Sequence, residues 1–277
     1  MNRLKLAGHS GCKLEIQKRG QNYVVIKTSK DKAYNLRLLQ QSKKQGEFTH
    51  TTFLAPKVLS SSYDKQGLFT FSMEYINGFT LAEHLQQVNA AAIPSIAGLF
   101  STFIPVRYIF DPDAKGAYQE KITELQGKIA APNSSIRNAL QRLSQHDWRY
   151  TMQSYCHGDL TLENIIYKDN ELYLIDFLDS FYDSWMQDFG KLLFDLESQW
   201  SYRGTIVDEN ILARISIFKN LLLERLSKLP HGREIVREIY YHSLLHALRI
   251  VPYTKDPETL ERLNVSISGL QEVIDSL

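Results

Sequence analysis

Residues 154 to 180 read SYCHGDLTLENIIYKDNELYLIDFLDS. Two short apolar runs, NIIYK and LYLIDF, flank an Asp169-Asn170 pair. Asp and Asn tolerate the left-handed backbone that a two-residue hairpin turn requires, so the segment is expected to be a tight β-hairpin. Most of the surrounding sequence has helical spacing, and any fold for this chain must seat a hairpin inside a helical region. The hairpin also gathers polar side chains. Asp159 precedes Asn164 by five residues, and Asp176 closes the second run, so the turn is expected to return Asp176 toward Asn164.

The first third of the chain has a different character. LEIQKRGQNYVVIK alternates into two strands about the turn Arg19–Asn22, with Tyr23 to Lys27 as the second strand. Asp31 to Lys43 carries Tyr34, Leu36, Leu38 and Leu39 at helical spacing. KVLSSSYDK and LFTFSMEYI are two further strands, turning through Asp64–Gly67. At Asn77-Gly78 the pattern changes. Beyond it TLAEHLQQV, AYQEKITELQGKIA, SIRNALQRLSQ, FGKLLFDLESQW, ILARISIFKNLLLERLSKL, EIVREIYYHSLLHAL and ETLERLNVSISGLQEVIDSL all read as helices. The expected architecture is α+β, with a small antiparallel-sheet lobe over residues 1–76 and a large, mostly helical lobe over residues 77–277.

Composition narrows the function. A length of 277 residues with 43% apolar and 23% charged content is ordinary for a folded protein. A formal net charge of +1 gives no electrostatic footprint for nucleic acid. The two cysteines, Cys12 and Cys156, are far apart and are expected as reduced thiols, which with the absence of a signal-like apolar N-terminus implies a cytoplasmic protein. No Cys/His cluster suggests zinc. Leu85 to Val106 carries no charge, but Pro94, Pro105, Gln86, Gln87 and Asn89 argue for buried helices rather than a membrane span.

Moving a phosphoryl group from a nucleotide requires held phosphates, oxygen ligands for a divalent metal, and a carboxylate beside the attacking hydroxyl. HGDLTLEN followed by LIDF supplies such a set. The pair resembles the signature of the aminoglycoside phosphotransferase and choline kinase superfamily, which has a protein-kinase-like fold. That resemblance implies a two-lobed kinase transferring phosphate from ATP or GTP, with Mg2+, to a hydroxyl of a small molecule. It implies Asp159 as catalytic base, His157 as the histidine bracing the loop, and Asn164 and Asp176 as magnesium ligands. Asp188, in WMQDFGKLL, matches an aspartate that steadies the catalytic loop from the following helix. Lys27 matches the strand lysine that meets the α- and β-phosphates. Gly8, Ser10 and Gly11, in GHSG, are candidates for a phosphate-approaching loop. Met73 would line the base pocket, while Glu74 and Ile76 would offer main-chain groups to the purine edge.

The chain departs from the protein-kinase pattern in instructive ways. No carboxylate falls at the centre of the first helix, and Asn35 stands about where a glutamate would pair the lysine, with Glu47 or Glu74 as other partners. Thr161 occupies the place, two residues after the catalytic aspartate, where serine/threonine kinases carry a lysine, and Gly158 replaces the arginine before it. FLDSFYDSWMQ leaves no room for a peptide platform. The acceptor is therefore expected to be compact, held between residues 80–150 and the C-terminal helices. A looser resemblance to bacterial phosphotransferases of surface-polysaccharide metabolism points to a sugar or polyol. Choline or another amino alcohol, with Trp185, Trp200 and Tyr202 as a possible cage, and an aminoglycoside are alternatives. So is a pseudokinase that binds nucleotide without turnover.

Overall fold

The structure, a computed structural model, describes residues 11–105 and 109–277. They form two compact units: the described residues up to Leu81 with Asn164–Asp179, and Ala82–Glu163 with Ser180–Leu277. The sequence suggested a single cut after residue 76. The hairpin instead groups with the N-terminal unit, because strands from that unit pair with both of its edges.

In chain order the first unit holds β1 (Lys13–Arg19), β2 (Asn22–Thr28), α1 (Asn35–Glu47), β3 (Phe53–Leu54), β4 (Val58–Tyr63), β5 (Phe69–Glu74), β6 (Phe79–Thr80), β7 (Ile165–Lys168) and β8 (Glu171–Leu174). One sheet runs β1-β2-β5-β4, antiparallel throughout, with Lys27 opposite Phe71. Its inner face buries Val25, Phe69, Phe71 and Met73 together with Cys12 and with Leu38 of α1. The buried residues of α1 are Leu38, Gln41, Ser42 and Gln45, spaced to share one face. Only one of the four is apolar, so the helix docks largely through hydrogen bonds: Gln45 Nε2 donates to Pro56 O at 2.7 Å and to Met73 Sδ at 3.2 Å.

The second sheet runs β3-β8-β7-β6. Its central hairpin pairs Ile165 with Leu174 and Lys168 with Glu171, and Asp169 (φ 52°) and Asn170 (φ 66°) take the left-handed conformation of a two-residue turn, as the sequence predicts.

The second unit is helical. It contains most of α2 (Leu81–Gln87), then α3 (Ile93–Leu99), α4 (Ala114–Lys128), α5 (Ser134–Gln145), α6 (Trp185–Ser198), α7 (Glu209–Ser227), α8 (Gly232–Ile250) and α9 (Pro257–Ser276). Asn133, Ser184, Asp208 and Asp256 cap α5, α6, α7 and α9 by accepting main-chain N–H groups of the first turn. α6 lies at the centre of this unit, with every residue but Glu197 buried. It packs closely on α8 through Gly190, where an added Cβ would lie 2.5 Å from His242 Cβ. The uncharged stretch from Leu85 breaks into short helical pieces that bury Leu85, Ile93, Ile96, Phe100 and Phe103. Among the described residues no helix is long and apolar enough to cross a membrane.

Candidate active site

The first unit brings Lys27, Asn164 and Asp176 into order. Register in the hairpin does the first part: Ile175 N donates to Asn164 O at 3.0 Å, continuing the β7–β8 ladder and setting Asp176 one residue beyond it. Asp176 itself has φ 61°, a strained conformation for a side-chain-bearing residue and one that clusters at functional sites. Its Oδ1 receives the buried Lys27 ammonium in a direct ion pair. An amide oxygen and a carboxylate at one end of a rigid hairpin are hard donors of the type magnesium prefers. Among the described residues no group of three His, Cys, Asp or Glu side chains gathers as a metal site. A two-ligand set of this kind would leave coordination positions for phosphate oxygens and water, the usual arrangement for magnesium on a nucleotide.

The partner of Lys27 corrects the sequence expectation. Asn35 does not reach it: Asn35 Nδ2 donates to Gly67 O and its Oδ1 accepts from Phe69 N, both at 2.8 Å, clasping the β4–β5 turn. Glu74 is also engaged elsewhere, accepting Lys57 N at 3.1 Å. Gln41 takes the place instead, with Oε1 3.4 Å from Lys27 Nζ and its amide 3.4 Å from Tyr34 Oη. The reason lies in where the helix begins. Residues 31–34 form a turn closed by Tyr34 N on Asp31 Oδ1, so α1 starts at Asn35 and its middle falls at Gln41.

The remaining nucleotide-side candidates divide. Met73 lies in the core of the first sheet. Glu74 commits its N–H to Lys57 O at 3.0 Å, and Ile76 accepts Gly78 N–H at 3.0 Å. Gly11 has φ 74°. Gly8 and Ser10 lie outside the described residues.

In the second unit the loop before the hairpin is fixed from below by α6. Asp188, fully buried, accepts His157 N–H at 2.5 Å on one oxygen and Gly158 N–H at 2.8 Å on the other. Gly158 has φ 91°, which a side chain would disfavour. His157, also buried, accepts Asp159 N–H on Nδ1 at 3.2 Å, a bond within its own loop. Two further groups on α6 were not singled out from the sequence. Asp195 accepts Leu162 N–H at 2.8 Å, Ser201 N–H at 2.7 Å and the Ser201 hydroxyl at 2.5 Å. Burial raises its carboxyl to about 6 despite those donors. Lys191 bonds Gly158 O and places Nζ 3.0 Å from Asp159 Oδ1. Burial by itself would raise the Asp159 carboxyl, but the Lys191 ammonium, with His246 and His157, holds it below the ordinary aspartate range. The signal for both residues was present: Asp188, Lys191 and Asp195 stand at i, i+3 and i+7 in a largely apolar helix, one charged stripe on a buried element.

The aromatic-cage candidates do not assemble. Trp185 and Tyr202 are buried, Trp185 against Phe189 and Tyr202 with its hydroxyl on Ala82 O at 2.8 Å. The Trp200 ring is covered by the Arg203 guanidinium, 5.3 Å from its centroid. Asp183 accepts the Cys156 thiol at 2.9 Å, and both cysteines are free of disulfides.

A sheet-bearing N-terminal part with an ion-paired strand lysine, and a helical part carrying a braced His-Gly-Asp loop, are the makings of a kinase-like phosphotransferase. The family model of APH, the phosphotransferase enzyme family, matches residues 28–215, more than half the chain, and the protein belongs to that family. Solved structures share the fold. Aminoglycoside phosphotransferase APH(4)-Ia, as a thermostable mutant, superposes with a TM-score of 0.63 at 12% identity, covering 98% of this chain and 93% of that one. The same enzyme in ternary complex with ADP and hygromycin B gives a TM-score of 0.62 at 12% identity, covering 98% and 92%. Choline kinase LicA from Streptococcus pneumoniae gives 0.55 at 20% identity, covering 96% and 92%. No curated protein matches the chain in sequence.

Proposed function

We propose that this protein is a small-molecule kinase that transfers the γ-phosphoryl group of ATP or GTP to a sugar or polyol hydroxyl. Asp159 accepts the hydroxyl proton as the oxygen attacks phosphorus and the bond to the β-phosphate oxygen breaks, the electron pair leaving with the nucleoside diphosphate. Asn164 and Asp176 would hold magnesium, which neutralises the phosphates when bound. Lys27, oriented by Gln41, supports the α- and β-phosphates. His157 and Asp188 fix the main chain that carries Asp159.

The observation that carries this reading is the anchoring of the catalytic loop. A carboxylate held by buried hydrogen bonds at successive residues, and kept ionised by a lysine, is prepared to accept a proton at neutral pH. The complex of APH(4)-Ia with ADP supports a nucleotide as donor. With Trp185, Trp200 and Tyr202 each packed elsewhere, a sugar or polyol is favoured over a quaternary amino alcohol. Retention of these groups also argues against a pseudokinase.

A phosphate-transfer screen of sugars, polyols, amino alcohols and aminoglycosides, with ATP and GTP in parallel, tests the proposal. Asp159→Asn is expected to abolish transfer while Mg-ADP binding persists. Asp176→Asn is expected to lose both. Tight Mg-ATP binding by Asp176→Asn would refute the metal assignment.

A further inference from the structure

A phosphoryl group in transit spreads negative charge over its equatorial oxygens, and a fixed cation beside the acceptor is a strong stabiliser of that charge. The loop itself supplies none: Thr161 stands two residues after Asp159, where serine/threonine kinases carry their lysine. The second unit nevertheless brings an ammonium to the same carboxylate from a different element.

Lys191 comes from the third turn-position after Asp188 on α6, and its side chain is 6% exposed. Its Nζ donates to Gly158 O and to Asp159 Oδ1, the latter at 3.0 Å. An ammonium has three N–H donors, so one remains after these two bonds. A lysine whose only task was to hold the loop would duplicate Asp188, which already fixes His157 and Gly158. Bringing an ammonium out of water is also a costly way to secure one carbonyl. Its position against the proposed base, with a donor in reserve, suits a group that acts in the reaction.

Resting on the function proposed above, we propose that Lys191 is the acceptor-side catalytic lysine, supplied by α6 in place of the loop lysine. It keeps Asp159 ionised and aimed, and it gives its remaining N–H to an oxygen of the transferred phosphoryl group. The acceptor proton goes to Asp159, the new O–P bond forms as the bond to the leaving diphosphate breaks, and Lys191 contributes charge only.

Mg-ATP hydrolysis, with water as acceptor, and the 13C titration of the Asp159 carboxyl together test this. Lys191→Met is expected to lower kcat about 100- to 1000-fold, the usual effect of removing one transition-state donor, with KM for ATP within about threefold. Lys191→Arg, which keeps the charge, is expected to recover at least about tenfold of that loss. The Asp159 carboxyl, faced by Lys191 of α6, His246 of α8 and His157 of its own loop, is expected to titrate above the ordinary aspartate range once the ammonium is gone. Three results overturn the inference: a kcat within threefold of the parent in Lys191→Met, a loss that Arg does not relieve in a folded variant, or an unmoved Asp159 titration. Failure of the underlying function looks different. A parent that transfers phosphate neither to water nor to any acceptor in the screen, or an Asp159→Asn variant as active as the parent, removes the kinase reading and Lys191's role with it. An impaired Asp159→Asn beside an unimpaired Lys191→Met rejects Lys191 alone.

Discussion

Replacing Asp188 by alanine measures how much of the His157–Leu162 loop depends on one buried carboxylate. The side chain accepts N–H groups from His157 at 2.5 Å and from Gly158 at 2.8 Å, and water does not reach it. Alanine leaves two buried donors without acceptors, each worth roughly 1–3 kcal/mol, which brackets the loss at about 2–6 kcal/mol. Removing a buried anion returns part of its desolvation energy, which places the expected value near the lower half, about 3 kcal/mol. That is a large share of a typical domain's 5–15 kcal/mol or so. Asparagine keeps one carbonyl acceptor and should lose about half as much. Urea unfolding followed by tryptophan fluorescence gives the global figure. Native-state amide exchange at His157 and Gly158 gives the local one, expected to accelerate by about 100-fold, the equivalent of 3 kcal/mol. An alanine variant within 1 kcal/mol of the parent, with protection at both amides unchanged, would refute the anchoring argument.

Three other outcomes follow from the packing. Gly190→Ala puts a Cβ 2.5 Å from His242 Cβ and 3.0 Å from two main-chain atoms of α8, so chemical denaturation should show at least about 1–3 kcal/mol of destabilisation. Gln41→Leu should weaken Mg-ATP binding by calorimetry several-fold, whereas Asn35→Ala should leave affinity alone and lower stability by about 1–2 kcal/mol, because one residue meets Lys27 and the other clasps a turn. Burial lowers His242 to about 3, with His146 adding to the effect, and burial also lowers His246 well below the ordinary histidine value. A histidine whose folded-state value is depressed stays neutral while the unfolded chain protonates, so stability is lost as pH falls below about 6.5, by about 1.4 kcal/mol per pH unit for each residue. His242→Gln should flatten urea-derived stability against pH between 6.5 and 4, and parallel profiles would contradict the assignment.

What the sequence disclosed, and what it concealed, follows from the range of the interactions involved. The hairpin was legible because its turn chemistry is local: Asp and Asn tolerate the positive φ that Asp169 and Asn170 adopt. The two hairpins β1–β2 and β4–β5 were legible from alternation and their turns. The partner of Lys27 was not, since it depends on where α1 begins, and the turn at Asp31–Tyr34 delays that start until Asn35. A shift of a few residues rotates a helix face, and with it the side chain that meets a distant strand. The grouping of the hairpin with the N-terminal unit was hidden for a related reason: β3 and β6 are two residues each, too short for periodicity to reveal.

Helix α6 shows how a chain of modest polarity builds a precise loop. Its buried surface carries Asp188, Lys191 and Asp195 at successive turns, and each addresses a different part of the segment from His157 to Leu162. Asp188 takes the N–H groups at its start, Lys191 the carbonyl and carboxylate at its centre, and Asp195 the N–H at its end. A loop lacks internal hydrogen bonds to fix it, and here the spacing of a regular element is copied onto it through side chains. Sliding α6 would disturb all three contacts together, and Gly190, on a different face of the same helix, packs it closely against α8. A charge inside a buried helix is costly unless paired. The two carboxylates therefore argue that the loop's geometry, rather than the stability of the unit, accounts for their presence, and Lys191 adds a charge beside Asp159.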